Sequence, residues 1–238
     1  MKHLAVLALL LLALALPASA QDTTTTSTQP NLIAPEIFAR AGAALDAEDY
    51  ETALRDYSLF IYLNPTYSIA YYERAYGHIG LNDAEAALDD VSTALRLSEG
   101  VMTPEFNAAL YALRGDIETQ QQQYDAAVAD YTSALDLQAT ATSYASRGVI
   151  YAQQNDLSAA LDDLSAAIEL DATNAAYFLF RGQISAENGD TQAAGTDYLQ
   201  FFSLIQPEPT ENDLLQSGAA VIVPMDRAVV HQIPFRAK

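Results

Sequence analysis

Five arginines along this 238-residue chain are each followed, sixteen residues later, by an aspartate: Arg40 and Asp56, Arg74 and Asp90, Arg114 and Asp130, Arg147 and Asp163, Arg181 and Asp197. A guanidinium presents a fork of donors that fits a carboxylate or a phosphate. The two columns therefore admit five internal ion pairs or a ladder of anion sites. Doubled acids at Asp89-Asp90 and Asp162-Asp163 raise a third chemistry, general acid and base work. Successive helical residues point a quarter-turn or more apart, however, and Asp90 and Asp163 already belong to the aspartate column. Histidine supplies little: His3 and His231 stand near the chain ends and His78 falls in a column shared with Tyr151, with no metal-ligand spacing among them. There is no glycine-rich phosphate loop, nucleophile elbow or calcium-loop ladder. With no cysteine, a thiol nucleophile and a disulfide framework are excluded. The chain is expected to be no enzyme and to hold neither metal nor cofactor.

The elements that must position these residues follow from spacing. Successive arginines lie 34, 40, 33 and 34 residues apart, a period that signifies stacked supersecondary units rather than one globular core. Small residues recur just after the arginine (Ala41, Ala75, Gly115, Gly148, Gly182) and again twelve residues on (Ala53, Ala87, Ala127, Ala160, Ala194). Backbones approach closely only where side chains are small, so these columns mark helix crossings. Bulky residues are expected to plug the space between, with Ile37, Tyr71, Tyr111, Tyr144 and Phe178 on a first helix and Tyr57, Val91, Tyr131, Leu164 and Tyr198 on a second. Asp49, Asp83, Gln123, Asp156 and Asp190 fall between the helices, and the four aspartates are good N-caps for the second helix. Units lie at about 34–67, 68–101, 108–140, 141–174 and 175–208.

The segments YYERAYGHIGLNDAEAALDDVSTAL, LYALRGDIETQQQQYDAAVADYTSAL and SYASRGVIYAQQNDLSAALDDLSAAI carry small-residue and aromatic columns that resemble the tetratricopeptide repeat. The resemblance covers residues 34–208 and implies an all-α, right-handed solenoid of five helix-turn-helix units. It also implies that each arginine of the first helix pairs with the aspartate of the second, which makes the ten column residues structural ion pairs. Partners of this family commonly bind the concave face lined by the first helices. Carried over column by column, that groove holds Phe38, Tyr72, Ala112, Ala145 and Leu179, then Gly42, Tyr76, Asp116, Val149 and Gln183, then Leu45, Ile79, Thr119, Ala152 and Ala186. No groove position has a lysine or asparagine of the kind with which some members grip an acidic chaperone terminus. The chain departs from the pattern in its helix-ending prolines, reduced to Pro65 and a displaced Pro207, and in Phe60 and Phe201, which replace a small residue in the terminal units.

Six extra residues precede the third unit. There Thr103 is placed to cap a helix with Pro104 in its first turn, which lengthens that helix or raises a loop. Before the repeats, residues 1–20 read as a secretory signal peptide, with a positive start, an apolar run over 4–16 and a small-x-small cleavage pattern. Residues 21–33 read as a disordered, threonine-rich tether. After the repeats, residues 209–238 read as a short helix over 210–216 and then strand-prone segments at 219–223 and 228–235, the possible opening of a truncated β-sandwich domain.

Acidic residues outnumber basic ones 31 to 11, for a formal net charge of −20. That argues against nucleic acid, which needs a basic footprint, and against anionic lipid surfaces; no segment after the signal is long and apolar enough for membrane insertion. The sequence thus points to an exported scaffold, periplasmic, cell-surface or extracellular, that holds a peptide or protein in its groove. Two alternatives stay open: the repeat region of a secreted enzyme such as a peptidase, and a cell-surface spacer.

Overall fold

The computed structural model describes residues 34–205, all of whose regular structure is helical. Ten helices follow in order: α1 Ala34–Asp46, α2 Tyr50–Leu63, α3 Ser68–Gly80, α4 Ala84–Ser98, α5 Pro104–Gln120, α6 Tyr124–Leu137, α7 Ala141–Gln153, α8 Leu157–Leu170, α9 Ala175–Glu187 and α10 Thr191–Ile205. Each odd-numbered helix packs on the next to make a hairpin, and each hairpin packs only on its neighbours. The threonine tether, the signal segment and the tail helix and strands expected at 210–235 lie outside the described residues.

One turn, repeated in every hairpin, explains the regular connections. The first helix ends with a residue in the left-handed region: Glu48, Asn82, Gln122, Asn155 or Gly189. The next amide closes back over the helix end, as in the bonds Asp49 N to Ala44 O at 2.9 Å and Asp156 N to Tyr151 O at 2.8 Å. This double closure is the Schellman motif, which satisfies carbonyls orphaned at a helix end. The closing residue then caps the second helix. Asp49, Asp83, Asp156 and Asp190 accept from backbone amides three residues on at 2.9 to 3.2 Å, whereas Gln123 makes no such bond.

Both small-residue columns are buried throughout. A Cβ added at Gly148 would stand 3.2 Å from the Ala160 carbonyl oxygen, so α7 and α8 cross where the sequence places the small pair. Of the bulky second-helix column, Tyr57, Val91, Tyr131 and Leu164 are buried, while Tyr198 in the last hairpin is half-buried. The first-helix column departs from expectation. Ile37 and Phe178 are buried, but Tyr71, Tyr111 and Tyr144 are only half-buried. The arginine three residues on lies against each aromatic ring of this column, with its guanidinium carbon 5.5 to 5.8 Å from the ring centre of Tyr71, Tyr111, Tyr144 or Phe178. Cation–π contact, rather than apolar packing alone, occupies these rings.

The extra residues produce both expected effects. Residues 99–103 form a loop, with Gly100 at φ +68, and α5 becomes the longest helix at 17 residues. Thr103 Oγ1 accepts from Phe106 N at 3.3 Å, and Pro104 occupies the first turn.

Candidate functional site

All five arginine–aspartate pairs meet across their hairpins. Arg74, Arg147 and Arg181 each clamp both oxygens of Asp90, Asp163 and Asp197 through Nε and Nη2, at 2.6 to 2.9 Å. Arg114 clamps Asp130 in the same way, at 2.5 and 2.7 Å. The aspartates are buried and these arginines partly so, which is why every acceptor must be filled. Arg40 differs. It is exposed and bonds Asp56 through Nε alone, while Arg55 takes the other oxygen at 3.0 Å. The bond from Arg40 holds the Asp56 carboxyl below the usual carboxylate range against the opposing effect of burial.

The sequence reading missed a further column that joins one hairpin to the preceding one. Arg74 Nη1 donates to Ser58 Oγ at 3.0 Å, Arg147 Nη1 to Thr132 Oγ1 at 2.9 Å and Arg181 Nη1 to Ser165 Oγ at 3.1 Å. The signal was legible, since a hydroxyl stands two residues after four of the five aspartates, Ser92 included. Arg114 forms no such bond to Ser92 among the described residues, and this is the junction that carries the loop at 99–103. With these donors occupied, the arginine ladder is internal framework and presents no row of open anion sites.

The residues expected to line a groove all lie on the first helices. First helices of neighbouring hairpins touch, α1 on α3, α5 on α7 and α7 on α9, and Tyr72 of α3 reaches Phe106 of α5 with ring centres 5.6 Å apart. The groove expected from the sequence runs along these first helices. Along it Tyr72, Ile79, Val149, Leu179 and Gln183 are half-buried. Phe38 is committed to packing, with its ring 4.9 Å from Phe60, 5.4 Å from Tyr57 and 5.8 Å from Tyr67. It seals the junction of the first two hairpins, and Phe60 fills the space left there by a missing small residue.

Polar chemistry concentrates between α3 and α6. The hydroxyls of Tyr72 and Tyr76 lie 2.9 Å apart, with rings 5.2 Å apart edge to face. Asp116, exposed on α5, accepts a hydrogen bond from the buried Tyr131 hydroxyl of α6. Crowding by protein strips hydration from Asp116 and raises its pKa, partly offset by that bond. Burial, and then the nearby Asp116 charge, raises the Tyr131 phenol. Glu73, between the two tyrosines in sequence, is buried and pushed up to about 7, chiefly by lost hydration and then by Asp46. No cluster of His, Asp and Glu suited to a metal ion occurs among the described residues, and no helix there is long and apolar enough to cross a membrane.

Comparison with known proteins agrees with this geometry. The tetratricopeptide repeat profile matches over residues 72–144, 113–175 and 146–200, and the chain belongs to the tetratricopeptide repeat family. Over 96 residues it is 32% identical to a tetratricopeptide repeat and J domain-containing co-chaperone, DNJ1, of Cryptococcus neoformans var. grubii, a match that covers 40% of this chain and 18% of that protein. The chain thus spans less than a fifth of that relative. Among solved structures, MamA from Desulfovibrio magneticus RS-1 (from residue 41) superposes with a TM-score of 0.65 at 17% identity, over 72% of this chain and 94% of that one. YrrB, described as a TPR protein with an unusual peptide-binding site, superposes with a TM-score of 0.60 at 20% identity, over 76% and 90% of the two chains. At these identities the structures share the fold.

Proposed function

We propose that this protein is a non-catalytic scaffold that binds a peptide or protein partner along the inner row of first helices, and that it works outside the cytoplasm. The observation that carries the reading is a division of labour between faces. The arginine and aspartate columns are consumed in holding the hairpins, while the inner row offers partly accessible aromatic, apolar and acidic side chains on rigid helices, as a binding surface requires. Tetratricopeptide repeats serve broadly as interaction modules, and the family likeness to a co-chaperone and to YrrB supports this reading. The α1–α2 hairpin lies before the matched residues but repeats the Arg40–Asp56 pair and the same turn, which supports counting five repeats. The apolar run at 4–16 supports export.

Affinity capture with the tagged chain from the extracytoplasmic fraction tests the scaffold. A partner held by the native chain and lost with Val149→Glu is expected, and equal capture by both contradicts binding on this face. Mass spectrometry of the expressed protein tests export. A product beginning at Gln21 is expected, and a full-length chain retained in the cytoplasm contradicts it.

A further inference from the structure

Four of the five second helices are covered by the hairpin that follows: α3 packs on α2, α5 on α4, α7 on α6 and α9 on α8. Among the described residues no helix follows α10. The end of a stack in water needs a polar outer face, and α10 presents the reverse. Ser58, Thr132 and Ser165 accept from the arginine of the next hairpin, and the last hairpin has Leu199 in their column. Asn64, Ser98, Gln138 and Asp171 stand where it has Ile205. Phe202 shares a column with Ile61, Leu95 and Ile168, each of which joins an apolar cluster that includes residues of the following hairpin. In α10, Leu199 is 74% exposed, Phe202 41% and Ile205 48%. Gly195, one turn before Leu199, has open space where a Cβ would project. At i, i+4 and i+7, Gly195, Leu199 and Phe202 form one stripe. Asp197, the single charged residue of α10, is clamped by Arg181.

We propose that the apolar segment 219–235 of this chain folds back on the Gly195–Leu199–Phe202 stripe and closes the end of the stack. Residues 206–218 join Ile205 to Ala219, and a stretch of that length reaches about 43 Å when extended. The 15 residues of α10 span about 22 Å, so the segment can return along the whole helix. Pro207 and Pro209 oppose continuation of α10 and favour a change of direction just beyond it. Segment 219–235 offers Val221, Ile222, Val223, Val229, Val230 and Ile233, with Asp226 and Arg227 side by side. It thus brings no net charge to a helix whose own charge is paired. Tethering raises its local concentration above that of any free partner, whereas a second copy arrives with a formal net charge of −20 and is repelled. Leucine in place of the column hydroxyl marks an apolar successor rather than a further hairpin with its arginine. Once covered, the stack presents no apolar end on which another chain could add.

The chain contains no tryptophan, so Leu199→Trp in the full chain gives a single reporter of this face. Val101→Trp, in the loop between α4 and α5 where Val101 is 78% exposed, gives the open reference. Acrylamide is expected to quench the emission of Leu199→Trp much less than that of Val101→Trp, equally at low and high protein concentration. Adding Ile222→Asp and Val230→Asp to the Leu199→Trp chain should raise its quenching to the reference level. Hydrogen exchange of the full chain without a tryptophan supplies an independent reading. With Ile222→Asp and Val230→Asp in place, amides of α10 should exchange about tenfold faster while those of α1–α8 keep their rates. Quenching of Leu199→Trp as strong as that of Val101→Trp, or protection that survives the two aspartates, overturns the inference. Protection that grows with protein concentration assigns the face to a second copy and overturns it as well.

Discussion

Arg40 and Arg147 occupy the same column with different consequences. The Arg147 side chain is 16% exposed and the carboxylate it clamps is buried, so Arg147→Met strands a charge and is expected to cost about 3 kcal/mol in denaturant unfolding. Arg40 is 58% exposed and Asp56 retains Arg55, so Arg40→Met should cost within about 1 kcal/mol. Equal losses would show that the pairs do not differ as their burial implies. Glu73 sets a pH dependence of the opposite kind to ordinary acid denaturation. Its carboxyl is raised in the fold from 4.5 to about 7, so the native state holds a proton that the unfolded chain has released. The contribution is fully favourable below about 4.5 and is lost as pH rises to about 7, by up to roughly 3 kcal/mol. Glu73→Gln should flatten that decline, and a decline of unchanged slope in the variant would assign it elsewhere. The arginine–aspartate columns were legible because five copies kept one spacing. Glu73 was not, since its column holds Ala39, Leu113, Ser146 and Phe180 in the other units and no pattern singles out a buried acid that occurs once.

Hairpin turns and the junctions between hairpins are where elements acquire their precision. Gln122 adopts φ +59, and only the last hairpin places glycine at that position, Gly189 at φ +87. A side chain in the left-handed region costs roughly 1 kcal/mol, so Gln122→Gly should raise stability by about that amount and Gly189→Ala should lower it. A stabilising Gly189→Ala would contradict the turn. Between hairpins, Thr132→Ala removes the hydroxyl that accepts from Arg147 and should cost about 1 kcal/mol, whereas Ser92→Ala, at the junction that carries the loop, should stay within about 0.5 kcal/mol. The aspartate caps were readable from residue type. Tyr71, Tyr111 and Tyr144, expected as buried plugs, are half-buried, and each lies against the guanidinium three residues on, a contact that a reading of apolar columns alone does not weigh.

At the scale of the whole molecule, a solenoid is stable through its neighbour-to-neighbour interfaces, and one interface differs from the rest. The junction at residues 99–103 lacks the arginine-to-hydroxyl rung that joins the other adjacent hairpins. Native-state hydrogen exchange should therefore resolve two blocks, α1–α4 and α5–α10, with the lowest protection at that junction; a single transition with uniform protection would show that the core shared by α3, α4 and α5 compensates fully. Hydrogen–deuterium exchange of the full chain with and without a captured peptide shows which face a partner occupies. Binding should add protection to the first helices α3, α5 and α7 around Tyr72, Tyr76, Asp116 and Val149, and leave the outer helices α4, α6 and α8 unchanged. Protection confined to the second helices, or to residues outside the repeats, would contradict the account.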